Sequence, residues 1–215
     1  MSLYNELRSR NQAVWEQVVT HSFVEELGAD TLPMEKFQRY FLQDYLFVRD
    51  FTRLLALGVA KAPDFSAARR LAGFLAGVLD GEESLFRRSF QEWGLTEAQY
   101  TSTSPAVTTR AMGNLMARVA YEGSFTEILT VLVVTEGTYL EWASRLVEAG
   151  REPRTGVYRE WVEIHSNADF RRFVEWLFER LDATTEAERG RVEELFEVTL
   201  GYELAFFDLS YQDSS

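Results

Sequence analysis

Apolar side chains recur at three- and four-residue intervals along almost the whole chain, and this spacing restricts the fold more than any other feature of the sequence. Residues at that spacing share one face of an α-helix, whereas a half-buried strand would alternate apolar and polar side chains. No segment sustains such alternation, and no Asn-Gly or Asp-Gly turn lies between β-rich runs. The periodicity therefore predicts an all-α protein.

Capping residues and helix breakers divide this pattern into eight predicted helices. They are expected at residues 3–27, 33–62, 64–93 (with a bend near Gly81), 105–121, 125–149, 157–165, 168–181 and from Thr184 or Thr185 to Tyr211. Thr31 and Asp64 are candidate N-caps for the second and third helices. The connections are short, and the sequence contains no repeat or low-complexity linker. We therefore expect one compact helical bundle over residues 1–215 rather than two domains.

The charge balance restricts the partners that the chain can bind. It has 34 acidic and 22 basic side chains, which give a formal net charge of −12 at pH 7. Such a surface repels phosphate backbones and anionic lipids, so neither nucleic acid nor a membrane is an expected partner. The most apolar stretch, residues 128–134, is too short to span a bilayer. Residues 1–12 lack the apolar region of a signal peptide, and we expect a cytoplasmic protein.

The absence of cysteine removes several chemistries at once. Without it the chain has no disulfide, thiolate zinc site, iron–sulfur cluster or cysteine nucleophile. A ferritin-like di-iron site would need Glu-x-x-His on each of two helices, but Val18 and Val162 stand three residues before His21 and His165. We therefore predict no metal ion and no cofactor.

Two carboxylates lie on helix faces that should point into the core. Asp44 interrupts the apolar stripe of the second predicted helix, and Glu203 interrupts that of the last. A buried carboxylate is costly without a partner, and apolar surroundings raise its pKa towards the range that suits acid–base catalysis. Each one is therefore either part of a structural ion pair or cap, or part of a site for a polar ligand.

The helix predicted at residues 125–149 carries further candidates. Tyr139 shares a face with Thr135, and a buried tyrosine hydroxyl needs a partner. Glu136 projects about 100° away from Thr135 around the helix axis.

The two histidines and one acidic pair are also explained by structural roles without a function in a site. His21 and His165 each follow apolar residues at helical spacing, which is typical of a satisfied core histidine, although His165 is also a site candidate. The consecutive Glu82 and Glu83 are interpreted as a solvated helix face.

Four blocks of the chain resemble, in order, the sequence pattern of the TenA (thiaminase II) family. They are His21-Ser-Phe-Val with Lys36-Phe37-x-x-Tyr40-Phe41-Leu42-Gln43-Asp44-Tyr45, then Tyr139-Leu-Glu-Trp, then Tyr158-x-x-Trp161-Val162-x-x-His165, and finally Tyr202-Glu203-Leu-Ala-Phe206-Phe207. No single block is decisive, but the ordered set extends over almost the whole chain and is fairly specific.

The resemblance implies a haem-oxygenase-like helical bundle, without implying haem, and a pocket for an aminopyrimidine. It implies that Asp44 binds the pyrimidine ring and its amino group, and that Tyr139 helps to position the ring and the nucleophile. It also implies that Glu203 moves protons to the ring or the leaving group, and Phe207 is a further candidate to contact the substrate. Because family members assemble as dimers or tetramers, the resemblance implies a homo-oligomer.

Three positions depart from the family's pattern. The main branch of the family has a cysteine where this chain has Thr135, so a covalent route through a thiolate is not open to it. Phe47 and His165 each replace a tyrosine. A second branch lacks the cysteine and is associated with a glutamate in the site. Glu136 is the candidate for that role, although one residue along a helix is a large angular step.

These features lead to one main hypothesis and two alternatives. The main one is a cysteine-independent hydrolase of thiamin breakdown products in thiamin salvage, in which water attacks an aminopyrimidine, Asp44 anchors the ring and Glu203 is the acid/base. The first alternative is a non-catalytic protein that binds a small heteroaromatic ligand and needs Asp44 but not Glu203. The second is a metal-dependent oxidase on the same scaffold, against which the shortage of histidine argues.

Overall fold

The computed structural model describes residues 2–211, which form twelve α-helices and one π-helical turn. The α-helices are Leu3–Arg10 (α1), Gln12–Val19 (α2), Ser22–Gly28 (α3), Met34–Lys61 (α4), Phe65–Gly77 (α5), Glu83–Glu92 (α6), Glu97–Thr101 (α7), Val107–Glu122 (α8), Phe125–Glu148 (α9), Gly156–Ser166 (α10), Ala168–Leu181 (α11) and Glu186–Tyr211 (α12). This part of the chain contains no β-strand, which confirms the predicted all-α class.

The helix α9 forms the centre of the bundle. Every residue from 128 to 138 is buried, and α9 packs against α2, α4, α10, α11 and α12. A helix that is covered on all sides can be apolar around its whole circumference, which explains the long apolar run in its first half. Polar side chains on such a helix face the interior in whichever direction they point. Within residues 2–211, no helix is both long and apolar enough to cross a membrane.

The single helix predicted over residues 3–27 is wrong, because the chain turns twice there to give α1, α2 and α3. The side-chain amide of Asn11 donates a hydrogen bond to the Leu7 carbonyl oxygen at 3.0 Å where α1 ends. His21 caps α3, since its Nδ1 accepts the backbone N–H of Phe23 at 3.1 Å. Both side chains offer the backbone a local alternative to continued helix, and apolar periodicity does not register this competition.

The helix predicted over residues 64–93 is interrupted by the π-helical turn Val78–Glu82, which separates α5 from α6. Asp64 caps α5 as predicted, with its Oδ1 accepting the Ala67 N–H at 2.8 Å. The expected bend near Gly81 thus has a specific form. A π-helical turn holds one more residue than an α-helical turn, and such turns are frequent at functional sites.

Two smaller expectations also need correction. Thr31 does not cap α4, because Pro33 occupies the N-cap position and the Thr31 hydroxyl donates to the Glu26 carbonyl oxygen at 3.4 Å. The short helix α7 was not predicted, and it begins with a capping box between Thr96 and Gln99.

Candidate active site

A small cavity, the inner recess, lies between α4, the π-helical turn, α9 and α10. Its volume is about 20 Å³, and roughly 10–15 Å³ is enough to hold one water molecule. It is lined by the sequence candidates Asp44, Phe47, Thr135, Glu136, Tyr139 and His165, together with Val48, Phe51 and Glu82. The structure therefore brings together six residues that were chosen from separate parts of the sequence.

Asp44 is held in the recess by the apolar face of α4 and is only 3% exposed. Its Oδ2 is buried and accepts no hydrogen bond. Within residues 2–211 it forms no ion pair, so the alternative of a structural salt bridge finds no support there. Burial raises the pKa of Asp44 well above its usual value, and the nearby charges of Glu82 and Glu203 raise it further. A hydrogen bond with Tyr40 partly offsets these effects.

Thr135 and Glu136 both border the recess, although they project in different directions from α9. Because α9 is covered on all sides, the recess can extend around its surface from one position to the next. The Thr135 hydroxyl donates to the Val131 carbonyl oxygen at 3.2 Å. The side chain of Glu136 lines the cavity. Burial raises the pKa of Glu136 well above its usual value, and the charge of Glu82 raises it further. Glu136 thus borders the same cavity as Thr135 in spite of the angular step between them.

Glu82 is the acidic residue that the sequence interpretation missed. Its assignment to a solvated face is wrong, because it is half-buried and borders the recess. The π-helical turn changes the helical register just before it, so a count at α-helical spacing misplaces its side chain. Burial raises the pKa of Glu82 to about 8. Its neighbour Glu83 instead forms an ion pair with Arg87 at 3.6 Å.

Glu203 lies on the inward face of α12 and is 3% exposed. Burial raises its pKa to about 8. It does not border the recess, but its charge raises the pKa of both Asp44 and Tyr139, so it belongs to the same electrostatic cluster. Within the described residues it forms no ion pair with Arg or Lys, which was the structural alternative for it. Phe207, one helical turn further on, stacks against Tyr139 at 6.0 Å and supports the site from behind.

Two phenols form a hydrogen-bonded pair beside Asp44. The hydroxyls of Tyr40 and Tyr139 lie 2.5 Å apart, and either can donate to the other. Burial raises the pKa of both phenols well above the usual value, so both keep their protons. Tyr40 lies on the buried face of α4, and helical spacing alone does not reveal the partner of its hydroxyl. The pair forms a short hydrogen-bonded path beside Asp44 and the recess.

His165 contributes a neutral hydrogen-bond acceptor. Its Nδ1 lies 2.9 Å from the Trp161 carbonyl oxygen, and because a carbonyl only accepts, Nδ1 carries the proton. The other ring nitrogen, Nε2, is thus an acceptor. Burial lowers the pKa of His165 to about 4, so the ring stays uncharged at neutral pH. His165 is a buried histidine as expected, and its Nδ1 has a hydrogen-bond partner. Its side chain also borders both cavities.

A larger cavity, the outer chamber, has a volume of about 490 Å³ and is bounded by α5, the π-helical turn, α10 and α11. It shares Glu82, Glu136 and His165 with the inner recess. Much of the remaining wall is apolar and includes Phe74 and Phe173. The two cavities thus meet at two carboxyls and one imidazole.

The acidic cluster suits proton transfer. Buried carboxyls without a cation disfavour one another's ionisation, so the first to lose a proton raises the pKa of the others. A carboxylate base and a carboxylic acid can then exist side by side near neutral pH. Within residues 2–211, no three acidic or histidine side chains are arranged to hold a metal ion.

Comparison with solved structures identifies the architecture. The chain superposes on heme oxygenase-1 from the cyanobacterium Synechocystis sp. PCC6803 with a TM-score of 0.62 at 13% identity, covering 97% of this chain and 91% of that one. This likeness shows the fold alone, and it confirms the haem-oxygenase-like bundle. A TenA homologue from P. horikoshii OT3 is closer, with a TM-score of 0.88, 26% identity and coverage of 98% and 99% of the two chains.

The family follows from the sequence match. The model of the TENA/THI-4/PQQC family matches residues 8–213, and the chain belongs to this family. A curated relative, the aminopyrimidine aminohydrolase of Helicobacter pylori, is 28% identical over 216 residues, covering 99% of this chain and all of the relative. The enzyme of the same name from Bacillus subtilis strain 168 is also 28% identical, and 91% of its length is covered.

Proposed function

We propose that this protein is an aminopyrimidine aminohydrolase that works without a cysteine nucleophile. The observation that carries the proposal is the junction of the two cavities, where Glu82 and Glu136 stand between a water-sized recess and a chamber large enough for a ring. The match over the full length of curated aminopyrimidine aminohydrolases supports the substrate class. The chain has no cysteine, so the nucleophile in this proposal is water.

In the proposed complex, the ring lies at the junction with its amino group in the inner recess. An amino group is close to a water molecule in size, and it would donate a hydrogen bond to the unpaired Oδ2 of Asp44. This would satisfy a buried acceptor that otherwise lowers stability. Phe47 and Tyr139 would contact the ring from the recess walls.

In the reaction step, the oxygen of a water molecule forms a bond to the exocyclic methylene carbon as the bond from that carbon to nitrogen breaks. The products are a hydroxymethylpyrimidine and an amine. Of the two carboxyls at the junction, Glu82 and Glu136, the ionised one takes a proton from water and the protonated one supplies a proton to the leaving nitrogen. Glu203 exchanges protons with the site through Tyr139. Each such transfer contributes about 10²–10⁴-fold to the rate.

The direct test is an assay of the purified protein with an aminomethylpyrimidine and with its formyl derivative. We expect hydrolysis of at least one, with release of the hydroxymethylpyrimidine, and a lower kcat for Glu203→Gln. Asp44→Asn should mainly raise KM, because the amide cannot replace the carboxylate as an acceptor of the same strength. Turnover of neither compound would refute the proposal, and calorimetric binding without turnover would favour the non-catalytic alternative.

A further inference from the structure

We propose that Tyr40 is a positioning residue for the inner recess. Its hydroxyl accepts a hydrogen bond from Tyr139 and donates one to Asp44, so that both of these side chains offer hydrogen-bond acceptors to the recess. This inference rests on the proposed function, which places an amino group of the substrate ring in the recess. It adds a residue that lines no cavity but determines which ring substituent the recess accepts.

The ring of Tyr40 is fully buried among other aromatic side chains. It packs against Phe23 with ring centroids 4.8 Å apart and stacks against Phe207 at 6.0 Å. It lines neither the inner recess nor the outer chamber. A phenylalanine would fill the same space, so packing accounts for the ring but not for the hydroxyl. Since a buried hydroxyl without a partner lowers stability, the function of this hydroxyl lies in the groups that it bonds.

The Tyr40 hydroxyl has two partners, and both of them line the recess. The Tyr139 hydroxyl is 2.5 Å away, and the Asp44 carboxyl forms the second hydrogen bond. Tyr40 and Asp44 are four residues apart on α4, and side chains at this spacing are neighbours on a helix surface. The Oδ2 atom of Asp44 has no hydrogen-bond partner. The carboxyl is thus held by Tyr40 while one of its oxygens stays available to a ligand.

The number of protons determines the direction of these hydrogen bonds. A phenol has one proton to donate, whereas an ionised carboxylate only accepts. In the proposed complex the substrate amino group donates to Oδ2 of Asp44, and Tyr40 donates to the same carboxylate. The contact between the two phenols is then a hydrogen bond only if Tyr139 donates to Tyr40. The proton of Tyr139 is therefore directed away from the recess, and its oxygen can offer the recess only a lone pair.

The surrounding charges give Tyr40 a second reason to donate to Asp44. Burial and the charges of Glu82 and Glu203 raise the pKa of Asp44, and the charge of Glu136 raises it further. The hydrogen bond with Tyr40 acts in the opposite direction and lowers this pKa. Tyr40 is thus a neutral donor that favours the ionised form of Asp44 in a cluster of acids.

Two acceptors in a recess of about 20 Å³ match a primary amino group, which has two N–H donors. An oxo group is similar in size but offers lone pairs, so it would leave both buried acceptors without a partner. We therefore expect the wild type to prefer an aminomethylpyrimidine with a ring amino group over the analogue with a ring oxo group. The expected preference in kcat/KM is at least about 100-fold.

The main test is Tyr40→Phe, which keeps the ring and removes the hydroxyl. The proton of Tyr139 then loses its acceptor and can turn into the recess, where it can donate to an oxo group. We expect the preference for the amino compound to fall at least about tenfold, mainly through a higher KM for that compound. The change in kcat should be smaller, because the carboxyls of Glu82 and Glu136 are unchanged.

Tyr158→Phe is the matched control. Tyr158 is also buried, its hydroxyl donates to the Leu32 carbonyl oxygen at 2.9 Å, and it lines neither cavity. This variant loses one buried hydrogen bond, as Tyr40→Phe does, and it should keep the wild-type preference. Equal preferences in the two variants would overturn the inference.

A double variant tests whether Tyr40 acts through Tyr139. Tyr139→Phe breaks the same hydrogen bond from the recess side, so it should also lower the preference, and it provides a test if Tyr40→Phe does not fold. Adding Tyr40→Phe to Tyr139→Phe should cause little further loss, because the two residues act as one unit. Losses that simply add would overturn the inference.

This inference and the proposed function fail in different ways. Hydrolysis with an unchanged preference in Tyr40→Phe would overturn this inference alone. If neither compound is hydrolysed, the proposed function fails, and calorimetry with the hydroxymethylpyrimidine and its ring-oxo analogue still measures the preference. Tighter binding of the amino compound that is weakened by Tyr40→Phe but not by Tyr158→Phe would support the role of Tyr40. Equal binding of both compounds, or no binding, would overturn it.

Discussion

The inner recess and the outer chamber share three side chains, but different kinds of residue form the rest of their walls. The recess is small, and carboxyl and hydroxyl groups of α4 and α9 reach it from a fully packed core. The chamber is about 490 Å³ in volume, and glycines, phenylalanines and a rim of arginines from α5 and α11 surround it. The difference separates a water-sized polar space in the core from a larger and mostly apolar space beside α5 and α11.

The largest effect should come from removing a carboxyl where the two cavities meet. Glu136→Gln cannot take or supply a proton, so we expect kcat to fall by about 10²–10⁴-fold with a smaller change in KM. Steady-state kinetics on the unsubstituted aminomethylpyrimidine measures this. Glu83→Gln is the control, because Glu83 pairs with Arg87 and borders neither cavity. If both variants lose activity equally, the recess has no special role.

The second effect concerns stability and comes from Glu203, which influences the recess through its charge. The pKa of Glu203 is about 8 in the fold and near 4.5 in the unfolded chain. Because the folded pKa is the higher one, the contribution of Glu203 to stability is fully present below about pH 4.5 and is lost as pH rises through about 8. At about 1.4 kcal/mol per pH unit between these values, the loss is on the order of 5 kcal/mol.

We therefore expect Glu203→Gln to melt at a higher temperature than the wild type at pH 9 and at nearly the same temperature at pH 5. Thermal melts followed by circular dichroism at both pH values measure this. Gly190→Leu is a pH-neutral control on the same helix. A Glu203→Gln protein that is equally destabilised at both pH values would show that the carboxyl is structural.

The smallest effect tests the chamber side. Gly77→Ala adds a methyl group where nothing lies within 4 Å, so it should stabilise the fold by up to about 1 kcal/mol. That corresponds to a melting temperature higher by roughly 2–4 °C in a chain of this size. Gly28→Ala is the contrasting control, since its Cβ would lie 2.4 Å from a methyl carbon of Leu146. Equal losses at both positions would mean that Gly77 is a packing glycine.

The two cavities also differ in how far the sequence predicts them. Asp44, Thr135 and Tyr139 interrupt regular apolar stripes, and helical spacing alone places them inside. The four blocks that resemble the TenA family occur in the family's order, and this resemblance predicts the fold. The inward position of a carboxyl is thus readable where the helix is regular.

Features that the sequence does not predict depend on departures from that regularity. Glu82 reaches the junction through a π-helical turn, which has no signal in a pattern counted at α-helical spacing. The breaks after Arg10 and Val19 are set by side-chain bonds to the backbone rather than by apolar spacing. The outer chamber is a space between helices, so its outline is defined only when α5, α10 and α11 are packed together.

The π-helical turn also bears on how such a site arises. The wider turn takes up one residue more than an α-helical turn, so the residues at its end lie one position away from where a count at α-helical spacing places them. The register that puts Glu82 on the cavity wall is therefore set by this local turn as well as by the residue at position 82. A comparison of residue identities position by position would overlook this contribution.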